Sequence, residues 1–136
     1  MPLLLNADEL TAHVRRSFPS EREVLVVEDL DEGSIRMRMR VEAGNLRPGA
    51  TVSGPTIFTL VDTVAWLATL AHLGAGREAV TSSVNITYLR RPQLADLLGE
   101  GRLLKMGSRF SVTDVLVFSE GSPDPVAQAT VTYAPV

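Results

Sequence analysis

The sequence contains no cysteine, which excludes disulfides, thiolate metal sites and a cysteine nucleophile. It has only two histidines, and its acidic residues are far apart along the chain, so we expect no metal site. The first residues, MPLLLNADEL, carry no basic leader and only a short apolar run, so we expect no signal peptide. The absence of cysteine suits a reducing cytoplasm, where we expect the protein.

The chain also lacks a strong charge and an uninterrupted apolar run. Its net charge of −3 gives no reason to expect nucleic acid or an anionic membrane as a partner. The longest apolar stretch, residues 57–73, is interrupted by threonines, by Asp62 and by His72, which makes it too polar for a membrane span.

The composition that is present is enough for one ordinary domain. A chain of 136 residues, 45% hydrophobic and 21% charged, can bury a core without disulfides or metals. We therefore predict a single domain over residues 1–136, in which residues 1–20 form an N-terminal helix and its lead-in.

The order of the apolar patterns predicts the architecture. Residues 6–17 read as a short amphipathic helix, and two strands follow on either side of a turn at residues 31–34. A loop rich in Gly and Pro, residues 44–55, leads into a long helix over about 55–73. Four strand-like runs follow, AVTSSVNITYLR, LLGEGRLLKMG, RFSVTDVLVFSE and PVAQATVTYAPV. This order predicts an α+β fold, a curved antiparallel sheet wrapped around one long central helix.

The long helix has two different faces. At 100° per residue, one face carries apolar residues alone and should pack on the sheet. The other face holds Asp62 and Trp66 together with several threonines, and it is compatible with solvent, a subunit interface or the wall of a cleft. The apolar face comprises Ile57, Leu60, Val61, Val64, Leu67, Ala68 and Ala71, and the threonines are Thr56, Thr59, Thr63 and Thr69.

Asp62 and the start of this helix together point to acyl chemistry. Asp62 lies too far from the helix start to cap it and has no basic residue at i±3 or i±4, so it is either exposed or held by hydrogen bonds. Ser53-Gly54-Pro55 is typical of a helix entry, where free N–H groups suit an oxyanion. An oxyanion site and an acid are the parts needed to hydrolyse an acyl group.

The segment RPGATVSGPTIFTLVDTVAWLATL, followed by VTSSVNITYLRRP, resembles the hotdog-fold acyl-CoA thioesterases of the phenylacetate-pathway (PaaI-like) family. The resemblance covers about residues 35–135. It implies an acyl-CoA substrate, no cofactor, and dimers whose sheets join and which commonly pair into a homotetramer. It also implies active sites at the dimer interface.

The resemblance also assigns roles to individual residues. It implies that Asp62 is the nucleophile or general base, and that the Gly54 amide of the partner subunit is the oxyanion donor. It implies that the Thr81 hydroxyl holds the water or the carboxylate, and that the strand end after Tyr88 lies near the CoA channel. Further substrate-binding candidates are Asn45, Arg47, Ser53, Trp66, Ser82, Ser83, Arg90 and Arg91.

The sequence departs from the family pattern at two places. Many members read His-Gly-Gly before the helix, whereas this chain reads Ser53-Gly54-Pro55, and Pro55 has no N–H to donate. Arg47 stands where members often carry an asparagine, and Asn45 is two residues away.

Two other functions remain open on the same scaffold, a non-catalytic acyl-CoA-binding or assembly protein and an enoyl-CoA hydratase. Such a hydratase typically needs a histidine a few residues from its aspartate, and residues 63–67 contain none. We expect His13 and His72 to be structural.

Overall fold

The structure is a computed structural model that describes residues 1–19, 24–42, 45–47 and 51–136. The predicted order of elements is confirmed, with one short strand pair added inside the predicted loop. The elements are α1 (Ala7–Ser17), β1 (Leu25–Asp31), β2 (Ser34–Met39), β3 (Leu46–Arg47), β4 (Thr51–Val52), α2 (Gly54–Leu73), β5 (Ala79–Tyr88), β6 (Leu97–Met106), β7 (Ser111–Ser119) and β8 (Pro125–Pro135). The first residues of the predicted first strand, 21–23, lie outside the described residues.

Six strands form one antiparallel sheet in the order β1-β2-β6-β7-β8-β5. The two-residue strands β3 and β4 pair with each other just before α2. The sheet wraps around α2, which confirms the predicted α+β architecture, the hotdog fold. Strand β5 lies at one end of the strand order, so one of its edges has no partner within the described sheet.

The predicted apolar face of α2 is the centre of the core. All seven of its residues are at most 4% exposed. The helix approaches β6 closely because two glycines face it. A Cβ atom added at Gly99 would lie 2.8 Å from a methyl group of Val64, and one added at Gly101 would lie 2.6 Å from the other. By length and composition α2 would also fit a membrane span, but 67% of its most apolar window is buried inside the protein.

The N-terminal helix packs against α2 and brings aromatic side chains to it. A capping box between Asn6 and Glu9 starts α1. Near the end of α1, His13 and Phe18 contact Trp66, with ring centroids 5.2 Å and 5.8 Å away. His72 is structural, as predicted. Its Nδ1 donates to the carbonyl of Pro2 and its Nε2 accepts the N–H of Gly33.

Strand β5 carries a bulge that decides which of its side chains face α2. Opposite residues of an antiparallel pair share a face, and the register pairs Tyr88 with Ala127 and Thr81 with Tyr133, both buried residues of β8. Counting back from Tyr88 in steps of two would put Ser82 on this face. The register shifts between Thr81 and Ser83, so Thr81 takes that position instead.

Candidate active site

The carboxylate of Asp62 is half-buried and is held by two hydroxyl groups from the sheet. Thr81 Oγ1 on β5 donates to Asp62 Oδ1 at 3.0 Å. Tyr133 Oη on β8 donates to the same oxygen at 2.6 Å and contacts the backbone carbonyl of Asp62 at 3.1 Å. Within the described residues Asp62 forms no ion pair, and its Oδ2 has no partner. One oxygen of this acid is therefore fixed and the other is free.

Tyr133 is a residue of the site that the sequence did not point to. Its side chain is only 4% exposed, at the end of the helix-facing row of β8. Burial raises the pKa of Tyr133 well above its usual range, and the hydrogen bond to Asp62 raises it further. The phenol therefore stays neutral and acts as a donor. The signal was available, because a tyrosine among the buried alanines and valines of a strand needs a partner for its hydroxyl.

The entry of α2 has one free backbone donor. Ser53 is the N-cap, and its Oγ accepts the N–H of Thr56 at 3.2 Å. Pro55 has no N–H, and the N–H of Ile57 bonds to the Ser53 carbonyl at 3.2 Å. The N–H of Gly54 alone has no partner among the described residues of this turn. No acidic residue lies in the first turn, so the positive end of the helix dipole is unopposed.

Gly54 and Asp62 lie at separate places along the same helix. They are eight residues apart, which corresponds to about 12 Å along the axis. Strand β5 reaches both places, since Thr81 contacts Asp62 and Tyr88 Oη donates to the Gly54 carbonyl at 3.1 Å. The free N–H of Gly54 and the free carboxylate oxygen of Asp62 thus both lie beside β5, too far apart for one small group to touch both.

A sequence profile described as thioesterase superfamily matches residues 49–126, more than half of the chain, and includes both α2 and β5. The chain belongs to this superfamily.

Solved structures with the same fold agree with that assignment. A protein of Silicibacter sp. TM1040, provisionally described as a thioesterase, is 42% identical to this superfamily member, with a TM-score of 0.93 over 100% of this chain and 95% of its own. A Streptococcus mutans UA159 protein with bound acetyl-CoA is 28% identical, with a TM-score of 0.72 over 82% and 88%. A hypothetical thioesterase of Streptococcus pneumoniae TIGR4, solved with coenzyme A, is 23% identical, with a TM-score of 0.79 over 93% and 96%. A comparison with curated proteins finds no match.

In this superfamily member, Asn45 secures the loop at the helix entry. Its Oδ1 accepts the N–H of Glu42 at 2.8 Å, and its carbonyl accepts the N–H of Ser53 at 2.9 Å and the hydroxyl of Thr56 at 3.3 Å. The side-chain oxygen of Asn45 is thus engaged within the loop. Arg47 lies in β3, and its side chain is outside the described part of the structure.

The three consecutive hydroxyl residues of β5 have different places. Thr81 contacts Asp62, and Ser82 lies at the bulge. Ser83 pairs with Thr132, which is next to the helix-facing Tyr133, so Ser83 points to the opposite face of the sheet. The structure therefore brings Thr81 to Asp62, and it does not bring Ser83 there.

The threonines of α2 have a different explanation from the semi-polar surroundings that the sequence suggested. Thr59, Thr63 and Thr69 each donate to the carbonyl four residues earlier, at 3.0 Å, 2.7 Å and 2.9 Å. Thr69 is fully buried and also bonds Ser111 Oγ at 2.6 Å. The hydroxyls of these three threonines are therefore satisfied inside the protein. On this face, Asp62 keeps an oxygen, Oδ2, without a partner among the described residues.

The remaining candidates lie on either side of Asp62. Trp66 is half-buried one turn further along α2 and packs on His13 and Phe18, so it can form an apolar wall beside the acid. Arg90 and Arg91 follow the end of β5 next to Tyr88, on the Gly54 side of the helix. Arg90 is half-exposed and pairs with Asp124 at 3.4 Å.

Proposed function

We propose that this chain hydrolyses acyl-CoA thioesters, with Asp62 as nucleophile or general base and the Gly54 N–H of a second subunit as oxyanion donor. The observation that carries the proposal is the state of Asp62. Its Oδ1 is held by two hydroxyl groups, its Oδ2 is unpartnered, and no cation neutralises it among the described residues. A held but incompletely satisfied carboxylate suits a group that must react in a fixed direction.

The reaction needs only water and the thioester. In the general-base route, Oδ2 takes a proton from water, and the water oxygen bonds to the carbonyl carbon. In the nucleophilic route, Oδ2 itself bonds to that carbon, the C–S bond breaks, and water then hydrolyses the resulting anhydride. In both routes the carbonyl oxygen becomes negative, the sulfur leaves as a thiolate and takes up a proton, and the acid is released. The Gly54 N–H would stabilise the negative oxygen.

The separation of the two groups is the reason for a second subunit. Both the reacting oxygen and the oxyanion donor must come within about 3 Å of the thioester group. Gly54 and Asp62 of one chain are about 12 Å apart along α2. The free edge of β5 offers a place for a second copy, because two such edges can pair and join their sheets. Exposed Val80 and Tyr88 on this strand would be covered by that contact.

The substrate class is supported by the site and by the solved relatives. Superfamily neighbours bind coenzyme A and acetyl-CoA. The exposed Arg90 and its neighbour Arg91 lie on the Gly54 side of the helix, where they suit the phosphates of CoA. From the resemblance in sequence we further propose that the chain is of the PaaI-like type and that two dimers form a tetramer in the cytoplasm.

Free CoA release from a panel of aryl and aliphatic acyl-CoAs tests the proposal. The wild-type protein should release CoA from at least one member, and Asp62→Asn should abolish this release, because an amide neither attacks nor accepts the proton. Thermal unfolding of the variant is the control, and we expect it to be close to wild type. Turnover by Asp62→Asn would contradict the mechanism. Tight binding without release by the wild-type protein would instead indicate an acyl-CoA-binding protein.

A further inference from the structure

We infer that Tyr133 is a positioning residue, which together with Thr81 occupies Oδ1 of Asp62 and so makes Oδ2 the oxygen that reacts. The inference rests on the proposed function and deepens it, because it assigns the chemistry to one atom of the carboxylate. It holds for both routes, since either the attack or the proton transfer then starts from Oδ2.

The hydrogen bonds to Asp62 are distributed unequally over its two oxygens. Each carboxylate oxygen offers about two acceptor sites, and the hydroxyls of Tyr133 and Thr81 fill both sites of Oδ1, at 2.6 Å and 3.0 Å. Within the described structure, Oδ2 accepts nothing. Hydrogen bonds withdraw electron density from the oxygen that accepts them, so the unbonded oxygen is the better base and nucleophile.

Tyr133 is the more rigid of the two donors. Strand β8 is paired on both sides, with β7 and with β5, and the Tyr133 ring is 4% exposed. Thr81 stands on the edge strand beside a bulge and is exposed. Tyr133 also contacts the backbone carbonyl of Asp62, so one hydroxyl is placed against both the side chain and the main chain of the acid. The direction of the carboxylate therefore depends mainly on Tyr133.

Among the residues that the structure describes, Tyr133 is also the one ionisable group that contacts Asp62. On α2 the positions three and four residues away are Phe58, Thr59, Ala65 and Trp66. On β5, the other ionisable group is Tyr88, which bonds to Gly54 instead. On β7, Asp114 bonds to Gln128 of β8, on the opposite face of the sheet from Tyr133. The hydroxyls of Tyr133 and Thr81 are thus the groups that decide which oxygen of Asp62 is free.

The test is the split between kcat and KM for Tyr133→Phe, which removes the hydroxyl and keeps the ring. We expect kcat to fall about 10- to 100-fold, which corresponds to one hydrogen bond to a charged group, with little change in KM. A role limited to packing would not lower kcat at an unchanged KM. Thr81→Val, on the exposed strand, should lower kcat in the same way without altering the core.

Thr113→Val is the matched control. Thr113 is a fully buried, helix-facing threonine on the neighbouring strand β7, and its hydroxyl has no partner in the described structure. Its removal should leave kcat and KM unchanged. A wild-type kcat in both Tyr133→Phe and Thr81→Val, while Asp62→Asn is inactive, would overturn the positioning role and leave the proposed function standing. Turnover by Asp62→Asn would overturn both.

Discussion

At the start of α2 every backbone N–H is bonded or missing except that of Gly54. The N–H of Thr56 donates to the side chain of Ser53, the N-cap, and Pro55 has no N–H. The N–H of Ile57 already donates to the Ser53 carbonyl, as in the body of a helix. A helix entry normally leaves several free donors, so this arrangement concentrates the anion-binding capacity of the helix end on one group. The Pro55 that departs from the family pattern therefore removes a donor beside Gly54 without removing Gly54 itself.

Two substitutions at Gly54 distinguish the role of its N–H from the role of its small size. Gly54→Pro removes the donor, and the extended backbone of Ser53, φ −73° and ψ 153°, is compatible with a following proline. Because Pro55 disfavours the helical conformation of a preceding residue that has a Cβ, Gly54→Pro and Gly54→Ala share that backbone cost. We expect kcat of Gly54→Pro to fall by about 10² to 10³, the usual effect of losing one oxyanion donor. Gly54→Ala keeps the N–H, and its Cβ would lie 3.6 Å from Tyr88 Oη, an ordinary contact, so it should lose much less activity than Gly54→Pro. Equal losses in CoA-release assays would show that space, and not the donor, is what matters.

The candidate site could be predicted from the sequence as far as local spacing determines it. Asp62, Gly54 and the cap Ser53 lie on one helix, so their relation follows from helix geometry. Thr81 came from the resemblance, and the structure places it on Asp62. Tyr133 is 71 residues from Asp62 and meets it only through the register of β8 with β5 and β7. Such a contact depends on strand pairing, which single-sequence periodicity does not specify.

At the scale of elements, the order of helices and strands was predictable because each element has a clear hydrophobic period and is separated from the next by a clear turn. The bulge in β5 was not predictable. Alternation alone leaves open which of Thr81, Ser82 and Ser83 faces the helix, and the extra residue that selects Thr81 is visible only in the pairing with β8. The pair β3 and β4 was also missed, because two-residue strands in a loop rich in Gly and Pro carry no periodic signal.

The close contact between α2 and β6 predicts an effect on stability. Gly101→Ala would place a Cβ 2.6 Å from Val64 and 3.0 Å from Ile35, so we expect a loss of about 1–3 kcal/mol in the free energy of unfolding. Val64→Ala alone should also destabilise the protein, by leaving a cavity. The double variant should lose less than the sum of the two, because the space left by Val64 accommodates the new methyl group. Denaturant unfolding measures all three, and simple additivity would show that the two residues do not limit helix–sheet approach.

At the scale of the whole molecule, the free carboxylate oxygen of Asp62 and the free N–H of Gly54 lie at separate places of a single chain. The free edge of β5 and the exposed residues along it are the structural reason to expect a second copy. In a dimer with two-fold symmetry, each interface contact occurs twice, so two equivalent sites would form, each with Asp62 from one subunit and Gly54 from the other.

Mixed dimers of Asp62→Asn and Gly54→Pro subunits distinguish the two arrangements. In such a dimer one composite site carries both substitutions, whereas the other keeps the native Asp62 and the native Gly54. Co-expression with two different affinity tags and sequential purification would isolate assemblies that contain both kinds of subunit. Their rate of CoA release should lie far above that of either parent and reach at most about half that of the wild type, because doubly tagged tetramers also include dimers of one kind. Each parent homodimer should be almost inactive, because both of its sites contain one substitution. If the mixed dimer is no more active than its parents, either Asp62 and Gly54 of the same chain belong to one site, or one of these residues takes no part in the reaction.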